Sequence, residues 1–93
     1  DAELERNART GRPRLEAVAA AVQLAALTVR ERDVLDWMVL GRPNKLIAYD
    51  LGIATRTVEV HRASLMEKLG ARSLSDVLRI AFAAGLGDPV EAA

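Results

Sequence analysis

Asn44–Lys45–Leu46–Ile47–Ala48–Tyr49–Asp50–Leu51–Gly52–Ile53, continued by Thr55–Arg56–Thr57–Val58–Glu59–Val60–His61–Arg62 and on to Leu69–Gly70, is the stretch that decides the fold. Asn44 is placed to cap a short helix, Lys45 to Leu51, with Ile47, Ala48 and Leu51 turned inward. Thr55 is placed to cap a longer helix, Arg56 to Leu69, with Val58, Leu65 and Leu69 turned inward. A short helix, a turn of about four residues and a longer helix make a helix-turn-helix unit. Four residues fit its close crossing. Ala48 is small enough to let the second helix approach. Gly52 can take the positive φ that the turn needs. Val58 plugs the gap between the helices, and Ile53 buries the turn. Each is ordinary core chemistry; the four together at this spacing favour the unit over a plain helical hairpin.

The same punctuation runs outward in both directions. Gly11 to Pro13, Gly41 to Pro43, Gly52, Gly70, Gly85 and Gly87 to Pro89 cut the chain into five helical lengths and a tail. Thr28 with Glu31 three residues later reads as a capping box opening a helix Val29 to Leu40, with Val34, Leu35 and Met38 inward and Gly41 as its stop. Ser73 with Asp76 reads as a second box, opening a last helix of Leu74 to Ala84. Ahead of Leu27 the chain is alanine-rich and weakly amphipathic. It is expected to break near Gly11–Arg12–Pro13, with Leu15, Val18, Val22 and Ala25 as an apolar stripe. Residues 1–26 are therefore assigned to a linker helix, 27–86 to the helix-turn-helix domain and 87–93 to a flexible tail. The linker helix either stands in solvent, joins a regulatory domain to this one, or helps it dimerise. The fold class expected is all-α.

Composition narrows the function. The 93 residues are 51% apolar and 28% charged, enough for one small domain. Lysine and arginine total 13 and so do aspartate and glutamate, so the whole is neutral. From Arg42 to Arg72, however, six basic residues stand against three acidic ones, a local excess of +3 that suits a face meeting phosphate. There is no cysteine, which excludes disulfides and thiolate metal sites and suits a reducing cytoplasm. One histidine is too little for a catalytic triad or a metal site, and Gly41–Arg42–Pro43–Asn44–Lys45 is not a phosphate-binding glycine-lysine loop. No stretch approaches the roughly 18 apolar residues of a membrane span. No enzyme, cofactor, metal or membrane is expected. The missing initiator methionine suggests a fragment of something longer.

Three blocks of residues resemble a known family. Leu27–Thr28–Val29–Arg30–Glu31–Arg32–Asp33–Val34–Leu35 is similar to its LTxRExxVL opening. Asn44 to Ile53 is similar to its NKxIAxxLGI scaffold helix, and Thr57 to Arg62 with Met66–Glu67–Lys68–Leu69–Gly70 to its TVxxHxxxxxxKLG recognition helix. The stretch from Leu27 to Leu86 resembles the LuxR/NarL-type DNA-binding domain, and its FixJ branch most. The resemblance implies a bacterial transcription regulator, the output half of a two-component response regulator whose receiver domain this chain lacks, with RNA polymerase a possible further partner.

The outward positions of the second helix would meet base edges in the major groove: Arg56, Glu59, Val60 and Ala63. The resemblance places base contacts at Glu59, Val60 and Ala63. Val60 suits a thymine methyl, and Glu59 either accepts from a cytosine amino group or pairs with Arg56 or Arg62. Family members often carry a basic residue at the Glu59 and Ala63 positions, and this sequence does not. Asn44, Lys45, Thr55, Arg56, Thr57 and Arg62 are the candidate phosphate ligands. His61 is read as a packing residue with a phosphate contact, Trp37 as cover for the core edge, and Tyr49 as a surface residue. In the last helix Leu74, Val77, Leu78 and Ala81 form the inward stripe, leaving Ile80, Phe82 and Leu86 over. The resemblance assigns this helix to a two-fold dimer contact on DNA, with Leu74, Val77, Leu78 and Ala81 as the dimerisation residues. Double-stranded DNA and a second copy of the chain are thus the expected partners. A helical adaptor and a sigma-factor-like promoter-binding domain are the competing readings.

Overall fold

The computed structural model describes residues 2–86, with side chains described from residue 14 onward. The expected tail, 87–93, lies outside the described residues. Five helices follow in order: α1 (Ala2–Ala25), α2 (Val29–Val39), α3 (Asn44–Leu51), α4 (Thr55–Leu69) and α5 (Leu74–Ala83). Among the described residues there is no strand, so the fold is all-α as read from the sequence.

α4 is the central helix. It packs against α2 and α3 on one side and meets α1 and α5 on the other, while α1 lies along α5. One core holds them: Val34, Leu35 and Met38 of α2, Ile47 and Ala48 of α3, Val58, Leu65 and Leu69 of α4, and Val77 and Ile80 of α5, joined by Ala20 and Leu24 of α1. The inward residues expected for α2 and α4 are the buried ones. Trp37 is half-buried against the core, as expected, and its ring carries the Arg42 guanidinium 4.9 Å above its centre. Arg42 also reaches Asp50 of α3 at 3.6 Å, fastening the α2–α3 turn to the scaffold helix.

The α2 capping box is complete: Thr28 Oγ1 accepts from the Glu31 amide at 3.1 Å, and Glu31 Oε1 accepts from the Thr28 amide at 2.9 Å. α2 is followed by Gly41 at φ +81°, a left-handed position that glycine holds without strain. The second box is only half formed. Ser73 Oγ accepts from the Asp76 amide at 3.2 Å, but the Asp76 carboxylate accepts from the Arg72 amide, one residue further back.

Three expectations are corrected. α1 runs through Gly11–Arg12–Pro13 to Ala25 without the expected break; good helix formers stand on both sides of that tripeptide. Asn44 and Thr55 are the first residues of their helices rather than caps. The cap positions are Pro43 and Ala54, neither of which can offer a side-chain acceptor. In α5 the buried face is Val77, Ile80 and Ala81, while Leu74 is exposed and Leu78 half-buried. The reason is α1. It folds back along α5 with Ala20 and Leu24 and supplies Ile80 with apolar neighbours that a solvated linker would not. The stripe of Leu15, Val18, Val22 and Ala25 is correspondingly not the face α1 buries; all four are exposed.

Candidate nucleic-acid interface

The helix-turn-helix forms as the sequence demands. α3 ends at Gly52, whose φ of +68° lets its amide reach the Tyr49 carbonyl at 3.2 Å while the Ile53 amide reaches the Ala48 carbonyl at 3.0 Å. A Cβ at Gly52 would meet nothing within 4 Å, so the requirement there is conformational, not steric. Ala48 and Val58 are buried where the two helices cross, and Ile53 is half-buried over the turn.

Burying Val58, Leu65 and Leu69 turns the opposite flank of α4 to solvent. Arg56, Glu59, Val60 and Ala63 all lie on it and are exposed; Val60 is 58% exposed. More than half of the Val60 side chain is thus open to a contact on this flank. Glu67 shares the flank, one turn beyond Ala63. Thr55, Arg56 and Thr57 stand exposed at the start of α4, and Lys45 is exposed in the first turn of α3. At both helix starts the leading amides have no carbonyl partner within the helix, so amide dipoles and cations converge where an anion would sit.

Arg62 and Asn44 do something the sequence did not reveal. Arg62 Nη1 donates to Asn44 Oδ1 at 2.9 Å, joining mid-α4 to the first residue of α3. Both side chains are half-buried, and Arg62 lines a small cleft with Met38, Pro43 and Leu74. The guanidinium turns to Asn44 rather than to Glu59. His61 is half-buried, in keeping with a packing role, and Tyr49 is 84% exposed on α3.

A carboxylate beneath the flank holds α4 in place. Glu31, 4% exposed, serves the α2 cap and also accepts from Lys68 Nζ at 2.7 Å and from Ser64 Oγ. The Lys68 bond first, then those from Ser64 and the Thr28 amide, hold its carboxyl down at about 2 despite burial, which acts the other way. Ser64 and Lys68 are four residues apart, one helical turn, so one carboxylate grips two levels of α4. At the far end, Gln23 Nε2 of α1 donates to the Leu69 carbonyl at 3.1 Å, satisfying one of the last carbonyls of α4. Neither tie was read from the sequence. In the sequence Glu31 stands only as half of a capping box, and nothing local links it to residues more than thirty positions away.

The remaining predicted residues belong to α5. Leu74 is exposed and Leu78 half-buried, whereas Val77 and Ala81 are fully buried inside the monomer. With Phe82, 44% exposed, Leu74 and Leu78 fall at i, i+4 and i+8 and form an outward stripe. Among the described residues no group of three or more metal-ligating side chains gathers, and no helix is long and apolar enough to cross a membrane.

Residues 25–81 match the family described as bacterial regulatory proteins, luxR family. The chain belongs to the luxR family. Its helix-turn-helix is thus a LuxR-type DNA-binding domain, and the family match favours this reading over an adaptor or a sigma-like module. The transcriptional regulatory protein FixJ of Rhizobium meliloti is 55% identical over 65 residues, which are 70% of this chain and 32% of that protein. FixJ of Azorhizobium caulinodans is 47% identical over 85 residues, 91% of this chain and 40% of that one. The solved full-length FixJ from B. japonicum superposes with a TM-score of 0.77 at 41% identity, covering 86% of this chain and 40% of that chain. The solution structure of the C-terminal transcriptional activator domain of FixJ from Sinorhizobium meliloti gives 0.67 at 52% identity, covering 74% and 87%. This LuxR-family chain spans about a third to two fifths of the length of the curated relatives it matches.

Proposed function

We propose that this domain is the sequence-specific DNA-binding output of a bacterial response regulator, with α4 lying in the major groove. The observation that carries the reading is the outward flank of α4: Arg56, Glu59, Val60 and Ala63 are free for base edges while the opposite face is packed and pinned by Glu31. Val60 packs against a thymine methyl, and Glu59 accepts from a cytosine amino group. Ala63 leaves room for a base pair to approach. Lys45, Arg56, Thr55 and Thr57 hold phosphates at the two helix starts. His61 adds at most a phosphate contact from its half-buried position. Arg62 acts with Asn44 as a strut that sets the spacing of α3 and α4, and a phosphate takes its remaining N–H groups.

Two copies bind neighbouring half-sites through α5. Leu74 and Leu78 supply the contact, and Phe82 extends it, while Val77 and Ala81 support that surface from inside. The extra length of the FixJ relatives is where a phosphorylatable receiver domain stands in the whole protein, which works in the cytoplasm and engages RNA polymerase at its promoters.

The test starts from duplexes recovered by selection from a random pool and follows their binding by fluorescence anisotropy over a range of salt. Arg56→Ala is expected to weaken all duplexes alike and to lower the slope of log affinity against log salt by about 1. Val60→Ala is expected to change which duplexes are recovered, with each altered base pair worth about 1–3 kcal/mol. An affinity that ignores salt, or one untouched by both Arg56→Ala and Lys45→Ala, would remove the reading.

A further inference from the structure

α1 buries one side and leaves the other chemically unfinished. Ala20 and Leu24 go into the core, and Gln23 reaches the end of α4. On the far side Leu15, Val18 and Val22 are 73%, 58% and 67% exposed, and Ala25 continues the line. A helix covered on one side only normally turns charge to water on the other. Here Ala17 to Leu27 contains a single polar residue, Gln23, and it points at α4 rather than outward. The exposed face of this segment has the composition of a buried helix.

We infer that this face is a seam between two copies of the chain, closed by pairing α1 with its own counterpart in parallel. Spacing is the first reason. Leu15, Val18, Val22 and Ala25 follow one another at intervals of three, four and three, the a/d rhythm of a coiled coil over two a/d pairs, with Leu15 and Val22 at a and Val18 and Ala25 at d. Chemistry names the occupant. The flanks of the seam are Ala19, Ala21 and Ala26, with Arg14 the one charge, so a matching surface must be apolar, narrow and free of charge. The other large exposed apolar side chains do not offer that. Val60 stands beside Glu59 and Arg56 on α4, and Leu46 and Tyr49 form a two-residue patch flanked by Lys45 and Asp50 on α3. Leu40 shares a cleft with Asp33 and Asp36, Val29 sits next to Arg30, and the α5 stripe is interrupted by Asp76 and Arg79. The α1 seam fits itself, which is what a two-fold contact requires. Parallel pairing also sends both DNA-binding units out at the same end, where one duplex can receive them.

This contact is separate from the α5 contact proposed for DNA. The helical positions of Leu15, Val18 and Val22 lie roughly opposite Ala20 and Leu24, which face α5. Pairing through α1 uses none of the residues that meet DNA, so the apolar contact is independent of the DNA reading, while its parallel sense rests on that reading. The seam is short, and a standard stable interface covers about 800 Å² on each partner. Association of the chain by itself is therefore weak, and the assay must detect a transient pair.

The absence of native cysteine supplies that assay. Single substitutions Leu15→Cys, Val22→Cys and Glu16→Cys are made in the 93-residue chain and oxidised without DNA. In a parallel pair two a-position cysteines face each other within the Cα separation of about 4.4–6.8 Å that a disulfide tolerates. Leu15→Cys and Val22→Cys are expected to cross-link at least about tenfold faster than Glu16→Cys, because pairing raises the effective concentration of the facing thiols toward the millimolar range. Adding Val18→Glu to Val22→Cys is expected to abolish the advantage, with circular dichroism showing that the fold remains. Equal rates at all three positions, no cross-link at either a position, or an advantage that survives Val18→Glu would overturn the seam.

Discussion

Glu31→Gln isolates the tie between α2 and α4. Glutamine is accepted at the third position of a capping box, so the Thr28 cap survives through the amide oxygen, while Lys68 loses its counter-charge and the Ser64 hydroxyl meets an amide N–H instead of an acceptor. The native carboxyl is held at about 2, against an ordinary value of 4.5. That difference corresponds to about 3 kcal/mol, since each unit is worth about 1.4 kcal/mol. Because the folded value is the lower one, the contribution is fully present above about pH 4.5 and is lost as pH falls toward 2. Lys68 is partly exposed and regains water when the charge goes, so the net cost of Glu31→Gln at pH 7 is expected at about 2–3 kcal/mol. For a domain this small that is a large share of a total of about 5 kcal/mol. The assay is urea denaturation from pH 7 down to pH 2.5, wild type against variant. Between pH 4.5 and 2.5 the stability difference should shrink with a slope approaching 1.4 kcal/mol per pH unit, one proton's worth. A gap that stays constant across that range, or a cost below about 0.5 kcal/mol at pH 7, would refute the reasoning.

Gly52→Ala should cost about 1–2 kcal/mol by thermal denaturation, because alanine is strained at φ +68° although space is open there; a neutral result would mean the turn relaxes out of the left-handed region. Gln23→Leu leaves the Leu69 carbonyl without its α1 partner and should cost about 1 kcal/mol, with hydrogen exchange rising in the last turn of α4; unchanged protection there would mean water replaces the bond fully. Ala48→Leu should cost about 1–3 kcal/mol by forcing α3 and α4 apart, and should weaken binding to the selected duplexes as well; a stable variant with intact binding would show the crossing is looser than its burial indicates.

Much of the architecture was legible because it is written in short-range signals. Left-handed glycines stand at the ends of four helices, Thr28 and Ser73 start two, and the inward residues of α2 and α4 repeat at helical spacing. Those signals depend only on residues within a turn or two of each other. Asn44 and Thr55 show their limit. A residue with capping chemistry one position before a helix is no guide when the neighbour before it can take the extended conformation and start the helix first. For the outward flank of α4, burial of Val58, Leu65 and Leu69 by itself dictated that Arg56, Glu59, Val60 and Ala63 turn outward, and all four are exposed.

Tertiary structure alone decided where α1 goes, and several consequences follow from that choice. A weakly amphipathic alanine-rich helix has two nearly equivalent faces, and its sequence does not say which one finds a partner. Once Ala20 and Leu24 lie on α5, Ile80 is core, Leu74 is surface, and Leu15, Val18 and Val22 are left in water. The grip of Glu31 on Ser64 and Lys68, and of Arg62 on Asn44, likewise exists only after distant turns of chain are brought within hydrogen-bonding range. The amino-acid order set the helices, the turn and the exposed flank, because periodicity and capping act locally. The packed molecule settled which polar groups pair and which apolar stripe stays open, because those depend on neighbours that the chain meets only when folded.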